Sequence, residues 1–234
     1  MYNYIVTTDT IPKEFGDCPI RRNRISCYIN LRWLLTSKQT GIFISSIGDE
    51  MKNSSFISAG NVLSAYAYLN IERKKEFFLH SFTYSCSSDR CNDINTFKRI
   101  LYSLIITDQF NDIKNRLIPV EPFDGHWCLM FSNKTSIDTC SEKIPVDPTD
   151  CKQCSTRYLQ DSEGNRICAG CFTDRFLLPS ITRLIEFNII DRTTNDRSFI
   201  DCQSKNCNGV ETMQLIREKS TIRFNYDQFL NTTR

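Results

Sequence analysis

Apolar and polar side chains alternate over residues 61–71. Leu63, Ala65, Ala67, Leu69 and Ile71 fall on one side, and Val62, Ser64, Tyr66, Tyr68 and Asn70 on the other. A period of two marks a strand that buries one face. The charged run Glu72-Arg73-Lys74-Lys75-Glu76 follows, and an apolar, aromatic stretch over 77–84 returns, so the segment predicts a long hairpin. The scheme comes back late in the chain as an apolar stretch over 181–190, a turn over 191–195 and a return over 196–202. Shorter runs predict strands over 27–33, carrying Tyr28, Ile29, Leu31 and Trp33, and over 41–44. Residues 1–15 are polar and unpatterned, a lead-in strand or a loose end, and residues 48–55 are turn-like.

Behind each hairpin the period lengthens to that of a helix. Ile94, Phe97, Leu101, Leu104 and Ile105 share one helical face, with Asn92 or Asp93 placed as the N-cap. Val210, Met213 and Ile216 make a shorter version behind Asn208. Both faces are expected to pack on their own sheets. Residues 110–117 predict a second short helix, and Pro119-Val120-Glu121-Pro122 reads as a linker.

Both hairpins run into the same motif. One reads Cys86-Ser87-Ser88-Asp89-Arg90-Cys91-Asn92 and the other Cys202-Gln203-Ser204-Lys205-Asn206-Cys207-Asn208. The front ends agree more loosely: Gly16-Asp17-Cys18 is followed by Cys27, and Gly125-His126-Trp127-Cys128 by Cys140. Self-similarity of this kind decides architecture before any local reading. It predicts a mainly β fold with short helices (α+β at the margin), built as two tandem, disulfide-stapled, β-hairpin-rich repeats. The first spans residues 10–118. The second spans 122–220 and carries an inserted Cys-rich finger over 151–171. Each unit holds an even number of cysteines and could close its bridges internally, with Cys18–Cys27 and Cys128–Cys140 as candidates at the front ends.

Composition narrows the compartment. The 234 residues are 40% hydrophobic and 12% aromatic, enough for one or two ordinary cores, and 12 are cysteine. That cysteine share favours bridges in an oxidising setting and metal or catalysis in a reducing one. A formal net charge of +2 with scattered basic residues argues against a nucleic-acid partner. No run reaches membrane-spanning length. Residues 1–6 lack the basic start and apolar stretch of a signal peptide, so a secreted or cell-surface ectodomain here implies a truncated gene model or an excised piece. Three sequons place candidate glycosylation at Asn53, Asn133 and Asn231, about as many as chance supplies.

The quartet Cys151-Lys152-Gln153-Cys154 and Cys168-Ala169-Gly170-Cys171 reads two ways. Two Cys-x2-Cys knuckles at the base of a hairpin can hold zinc through Cys151, Cys154, Cys168 and Cys171. The surrounding cysteines favour two disulfides instead, because a compartment that oxidises those would oxidise these too. Catalytic groups are scarce. The chain has two histidines, His80 on a predicted strand and His126 at a front end, and none of the common nucleophile, phosphate-loop or zinc-protease motifs. No enzyme is expected.

The ending Cys-x4-Cys-Asn after an apolar strand resembles that of the Ly6/uPAR-like three-finger repeats, in which a disulfide closes the short loop and the asparagine locks the module. The resemblance is confined to this ending. The family's Cys-Cys doublet is absent, and its opening survives only as Cys27-Tyr28-Ile29-Asn30. It implies Cys86–Cys91 and Cys202–Cys207 bonds, Asn92 and Asn208 as the locking residues, and ligand or receptor binding without catalysis. The expectation is therefore an extracellular, disulfide-rich binding or adhesion ectodomain with no cofactor, whose partner is a protein or cell-surface ligand. Candidate contact surfaces are the hairpin tips at 73–75 and 193–195 and the finger at 155–167. The alternative is an intracellular adaptor stabilised by zinc at the quartet.

Overall fold

A computed structural model describes residues 2–11, 26–47, 61–72, 75–88, 91–119, 121–133, 148–162, 164–173 and 178–231. The first half runs β1 (Ser26–Leu34), β2 (Gln39–Ile47), β3 (Val62–Glu72), β4 (Lys75–Cys86), α1 (Ile94–Ser103) and β5 (Leu104–Asp108). After short 3-10 turns at Phe110–Asp112 and Lys114–Arg116 comes β6 (Phe131–Ser132). The second half runs β7 (Gln153–Asp161), β8 (Gly164–Phe172), β9 (Ser180–Asn188), β10 (Thr193–Cys202), α2 (Val210–Glu218), β11 (Ser220–Phe224) and α3 (Tyr226–Asn231). The fold is mainly β. Nine strands form one antiparallel sheet in the order β2-β1-β4-β3-β9-β10-β7-β8-β6, and β5 pairs with β11 as a separate ribbon.

The order β2-β1-β4-β3 from one edge to the middle is matched by β8-β7-β10-β9 from the other side. The register matches as well. Cys27 faces Cys86 across β1 and β4, and Cys154 faces Cys202 across β7 and β10. Where the halves meet, β3 and β9 pair antiparallel from Val62↔Asn188 to Asn70↔Ser180, with Tyr66 opposite Leu184 at the midpoint. The ribbon pairs Ser220 with Asp108 and Phe224 with Leu104, centred on Ile106 opposite Ile222. Cys91, Asn92, Ser103 and Asp108 therefore correspond to Cys207, Asn208, Lys219 and Phe224.

Residues 10–118 and 122–220 share one sheet and one buried cluster, since β3 and β9 are ladder partners. Two expectations need correcting. The stretch 151–171 is not an inserted finger: β7 and β8 lie within the sheet in the places that β1 and β2 take on the other side. Finally, α1 ends at Ser103, so Leu104 and Ile105 belong to β5. The reason is local: Ile105, Ile106 and Thr107 are β-branched, favour extended backbone, and find a ladder partner in β11.

Helices and ribbon cover one face of the sheet. Asp93 caps α1 by accepting from the Thr96 amide at 2.7 Å. Phe97 then packs on Phe82 of β4 with ring centroids 6.1 Å apart, and Trp33 meets Phe82 edge-on at 5.8 Å. In the other half Phe224 touches Phe187, Tyr226 and Phe229. Fully burying each such ring contributes about 2–3 kcal/mol. The small residues Ala65 and Ala67, both wholly buried, leave room for the ribbon to lie on β3.

One charged group is built into this face. Arg183 of β9 makes a two-armed pair with Asp196 at 3.2 and 2.8 Å and donates to the carbonyls of Arg217 and Ser220 at 2.7 and 2.9 Å. It thereby ties the end of α2 to the sheet. Truncating one member of a shielded pair strands the other without a partner. Arg183→Ala is expected to lower the unfolding free energy by about 3 kcal/mol, whereas Arg192→Ala, at an exposed pair with Asp227, changes it by less than about 1. Urea titrations of the two variants giving equal losses would contradict this assignment.

Candidate functional site

Each Cys-x4-Cys segment closes a turn between a long strand and a helix. Cys86 is bonded to Cys91 and Cys202 to Cys207, and both pairs have Cα atoms 6.1 Å apart. Matching backbone bonds, from the Cys91 amide to Ser88 and from the Cys207 amide to Ser204, shape the two loops alike. Asn206 takes a left-handed φ of 55°, a conformation asparagine tolerates better than most residues.

The residue after each loop separates the halves. Asn208 is wholly buried. Its side-chain amide donates to the carbonyls of Leu129, Ser155 and Gly170 at 2.9, 3.1 and 3.3 Å, and its Oδ1 accepts from the Leu129 amide at 2.9 Å. One side chain thus pins β7, β8 and the segment before β6 to the loop. Asn92 makes the corresponding reach in weaker form, a single 3.4 Å bond to the Ser45 carbonyl of β2. Ser45 holds the place in β2 that Gly170 holds in β8.

The front-end pairing differs from expectation. Cys128 is bonded to Cys154, not to Cys140, which lies outside the described residues. Taken in sequence order, Cys140 is the next cysteine after Cys128. In the sheet, Cys154 occupies the place of Cys27, opposite the first cysteine of the Cys-x4-Cys loop. Cys18 also lies outside the described residues, so the Cys18–Cys27 candidate is not described.

The sulfurs of the quartet are joined in disulfides, which disfavours a metal centre there. Cys151 is bonded to Cys171, Cys154 to Cys128, and Cys168 is itself in a disulfide. Sulfurs in disulfides offer no thiolate to zinc. No group of three or more His, Cys, Asp or Glu suited to a metal occurs among the described residues. The knuckle geometry fails because Cys168 and Cys171 both lie inside β8. Three residues apart on a strand, their side chains leave opposite faces, so four sulfurs cannot converge.

Of the remaining candidates, Asn53, Arg73 and Lys74 lie outside the described residues. Asn133 is exposed but engaged: it donates to the Asn165 carbonyl at 2.8 Å and accepts from the Ile167 amide at 2.9 Å, extending the edge at β8. Asn231 is exposed at the end of α3. Thr193–Asn195 begin β10, and the tip itself lies at residues 189–192, with Arg192 at a φ of 54°. His80 sits on the covered face, 2.5 Å from Asp108, with side chains 13% and 7% exposed. That pair joins β4 to the ribbon. His126 lies in the open beside Asp124, whose carboxyl is held below the usual range by the His126 backbone amide and then its side chain.

Sequence reasoning missed the far face of the sheet, which no described helix or ribbon covers. Its middle carries Tyr66, Tyr68, Leu184 and Phe199. Burial raises the Tyr68 phenol above its ordinary value, so it stays neutral near pH 7. Arg157 lies over both Phe172 and Phe199 and pairs with Asp201 at 2.9 Å. Arg197 pairs with Glu186 at 2.9 Å, and Arg32 lies over Phe43 at the edge. The signal was present in the polar side of the alternation, where tyrosines stood in place of lysines and glutamates.

Asn208→Ala removes four hydrogen bonds from a wholly buried junction and is expected to cost about 3 kcal/mol, against less than about 1 for Asn92→Ala. Equal shifts in denaturation midpoint would show that the lock does not reside in Asn208. Comparison of the chain with known families, curated proteins and solved structures gives no match.

Proposed function

We propose that this protein is an extracellular, disulfide-stapled binding domain that presents its open sheet face to a protein partner and acts by binding rather than by catalysis. The observation that carries this reading is the state of the sulfurs: nine of the described cysteines are in disulfides, spread over both halves of the sheet. Such a framework persists in oxidising compartments and is uncommon where thiols are kept reduced. The binding part rests on the open face. Tyrosine, phenylalanine and arginine are the residues enriched where proteins meet. Arg32, Lys75, Arg157, Arg166 and Arg197 outnumber Glu72, Glu186 and Asp201 there among the described residues, which fits a partner surface bearing carboxylates.

The Ly6/uPAR-like ending is read as a closing device serving that same end, with the loop disulfides and Asn208 holding the sheet's framework. The Cys18–Cys27 bridge is kept as part of this reading, in the manner of Cys128–Cys154. Asn231, exposed on the helix side, is the glycosylation candidate that leaves the open face clear.

Expressed through a secretory pathway and digested without reduction, the protein is expected to yield no alkylatable thiol and a linked Cys18–Cys27 peptide. Bound zinc, or free thiols in folded protein, would overturn the extracellular reading. Hydroxyl-radical footprinting with cell-surface membranes of the source organism is expected to protect Tyr66 and Tyr68. Unprotected tyrosines alongside a protected helix layer would move the binding face.

A further inference from the structure

The two Cys-x4-Cys loops share a frame and differ in what lies over them. Both bonds join Cα atoms 6.1 Å apart, and each loop carries the same backbone bond, from Cys91 to Ser88 and from Cys207 to Ser204. The segment that connects the halves runs along the second loop and binds it at three places. The Gln203 amide donates to the Leu117 carbonyl at 2.9 Å, the Asn206 amide donates to the Trp127 carbonyl at 3.3 Å, and the Ser204 hydroxyl donates to the Arg116 carbonyl. Beneath this cover Cys202 and Cys207 are 0% and 1% exposed.

The first loop has no corresponding cover among the described residues. Its flank is tied down by the 3.4 Å bond from Asn92 to Ser45. Ser87, Ser88 and Asp93 are exposed, and Cys91 is half-buried. Nine of the described cysteines are in disulfides, and the other eight are all buried. Thiol–disulfide exchange depends on access to the sulfur under attack. Access is what sets this bond apart.

We propose that Cys86–Cys91 is a thiol–disulfide exchange site, opened by an external dithiol while the other bonds stay closed. One thiolate of the dithiol attacks the Cys91 sulfur, and the Cys86–Cys91 bond breaks with its electron pair leaving on the Cys86 sulfur. Cys86 takes up a proton there, with the Cys27 carbonyl standing 3.7 Å away as the acceptor for its S–H. The second thiolate of the reagent attacks the mixed disulfide and releases Cys91, which is protonated in turn. The dithiol ends as a closed disulfide, two electrons having passed to the protein bond, and its two protons end on the cysteines. Opening frees the start of α1. Phe97 still packs on Phe82, so the helix body stays on the sheet. The first turn, where the Thr96 and Phe97 amides bond to Asp93, loses its tie to β4. The exchange site stands apart from the sheet face assigned to a protein partner.

The test is timed reduction of the folded full chain with dithiothreitol, quenched with iodoacetamide and mapped by mass spectrometry. Cys86 and Cys91 are expected to be alkylated at least about tenfold faster than Cys202 and Cys207, with Cys128–Cys154 and Cys151–Cys171 still linked. At that stage hydrogen exchange should rise at the amides of Thr96 and Phe97 and stay unchanged at those of Thr212 and Met213, which hold the corresponding places in α2. The Cys86→Ser/Cys91→Ser variant, left unreduced, should show the same exchange pattern. Another bond opening first, equal rates at the two loops, unchanged exchange at Thr96 and Phe97, or a rise throughout the chain would each overturn the proposal.

Discussion

The pairing of β3 with β9 is the contact on which the rest of the structure depends. Without it, each side would end in a long strand whose backbone groups were unpaired and whose inner residues were apolar, an edge that invites aggregation. Joined, the two strands become the middle of a nine-stranded sheet, shielded on both sides by neighbours. The join also places Ala65 and Ala67 side by side with Arg183 and Ile185 under the ribbon. Small residues there let β5 and β11 approach, and the ribbon's own pairing ties the ends of α1 and α2 together. A single antiparallel register thus carries the sheet, the core and the second layer.

Disulfides and hydrogen bonds divide the remaining work. Closing a five-residue separation restricts the unfolded chain by about 2 kcal/mol, and the 26-residue separation of Cys128–Cys154 by about 3.5 on the same chain-entropy argument. The short loops therefore act chiefly by shaping the entry to each helix. The longer bridge fixes where the segment before β6 meets β7, and Asn208 reinforces that junction with bonds to Leu129 and Ser155. In the first half, Asn92 has one side-chain partner among the described residues and is itself only half-buried. The lock is strong where it has three chain segments to gather.

Much of this was legible in the sequence, and the failures have physical causes. Period-two alternation located β1, β3, β4, β9 and β10 because each buries one face. Asp93 was readable as a cap because its side chain sits three residues before an amide it can reach. The end of α1 was not, because Leu104 and Ile105 continue the helical spacing while their backbone is taken by a partner more than a hundred residues away. Disulfide pairing failed at Cys128 for a similar reason: sequence order ranks Cys140 nearer, while the fold brings the 3-10 turn before Cys128 against β7 and its Cys154. Cys-x2-Cys spacing is a poor guide to zinc where it does not fall in a turn, and Cys168 and Cys171 lie in a strand.

The correspondence of the two sides also separates scaffold from specialisation within one molecule. Positions that shape the backbone keep their chemistry: a cysteine loop, an asparagine after it, and an amide-to-carbonyl bond at the ribbon's exit. Positions that only decorate the frame are free to diverge, and they do. His80 corresponds to Asp196, so one side holds its ribbon with a His80–Asp108 pair and the other holds α2 through Arg183, Asp196 and Arg217. The same freedom puts Ser103 where the other side has Lys219 bound to Gln109 and Asp112.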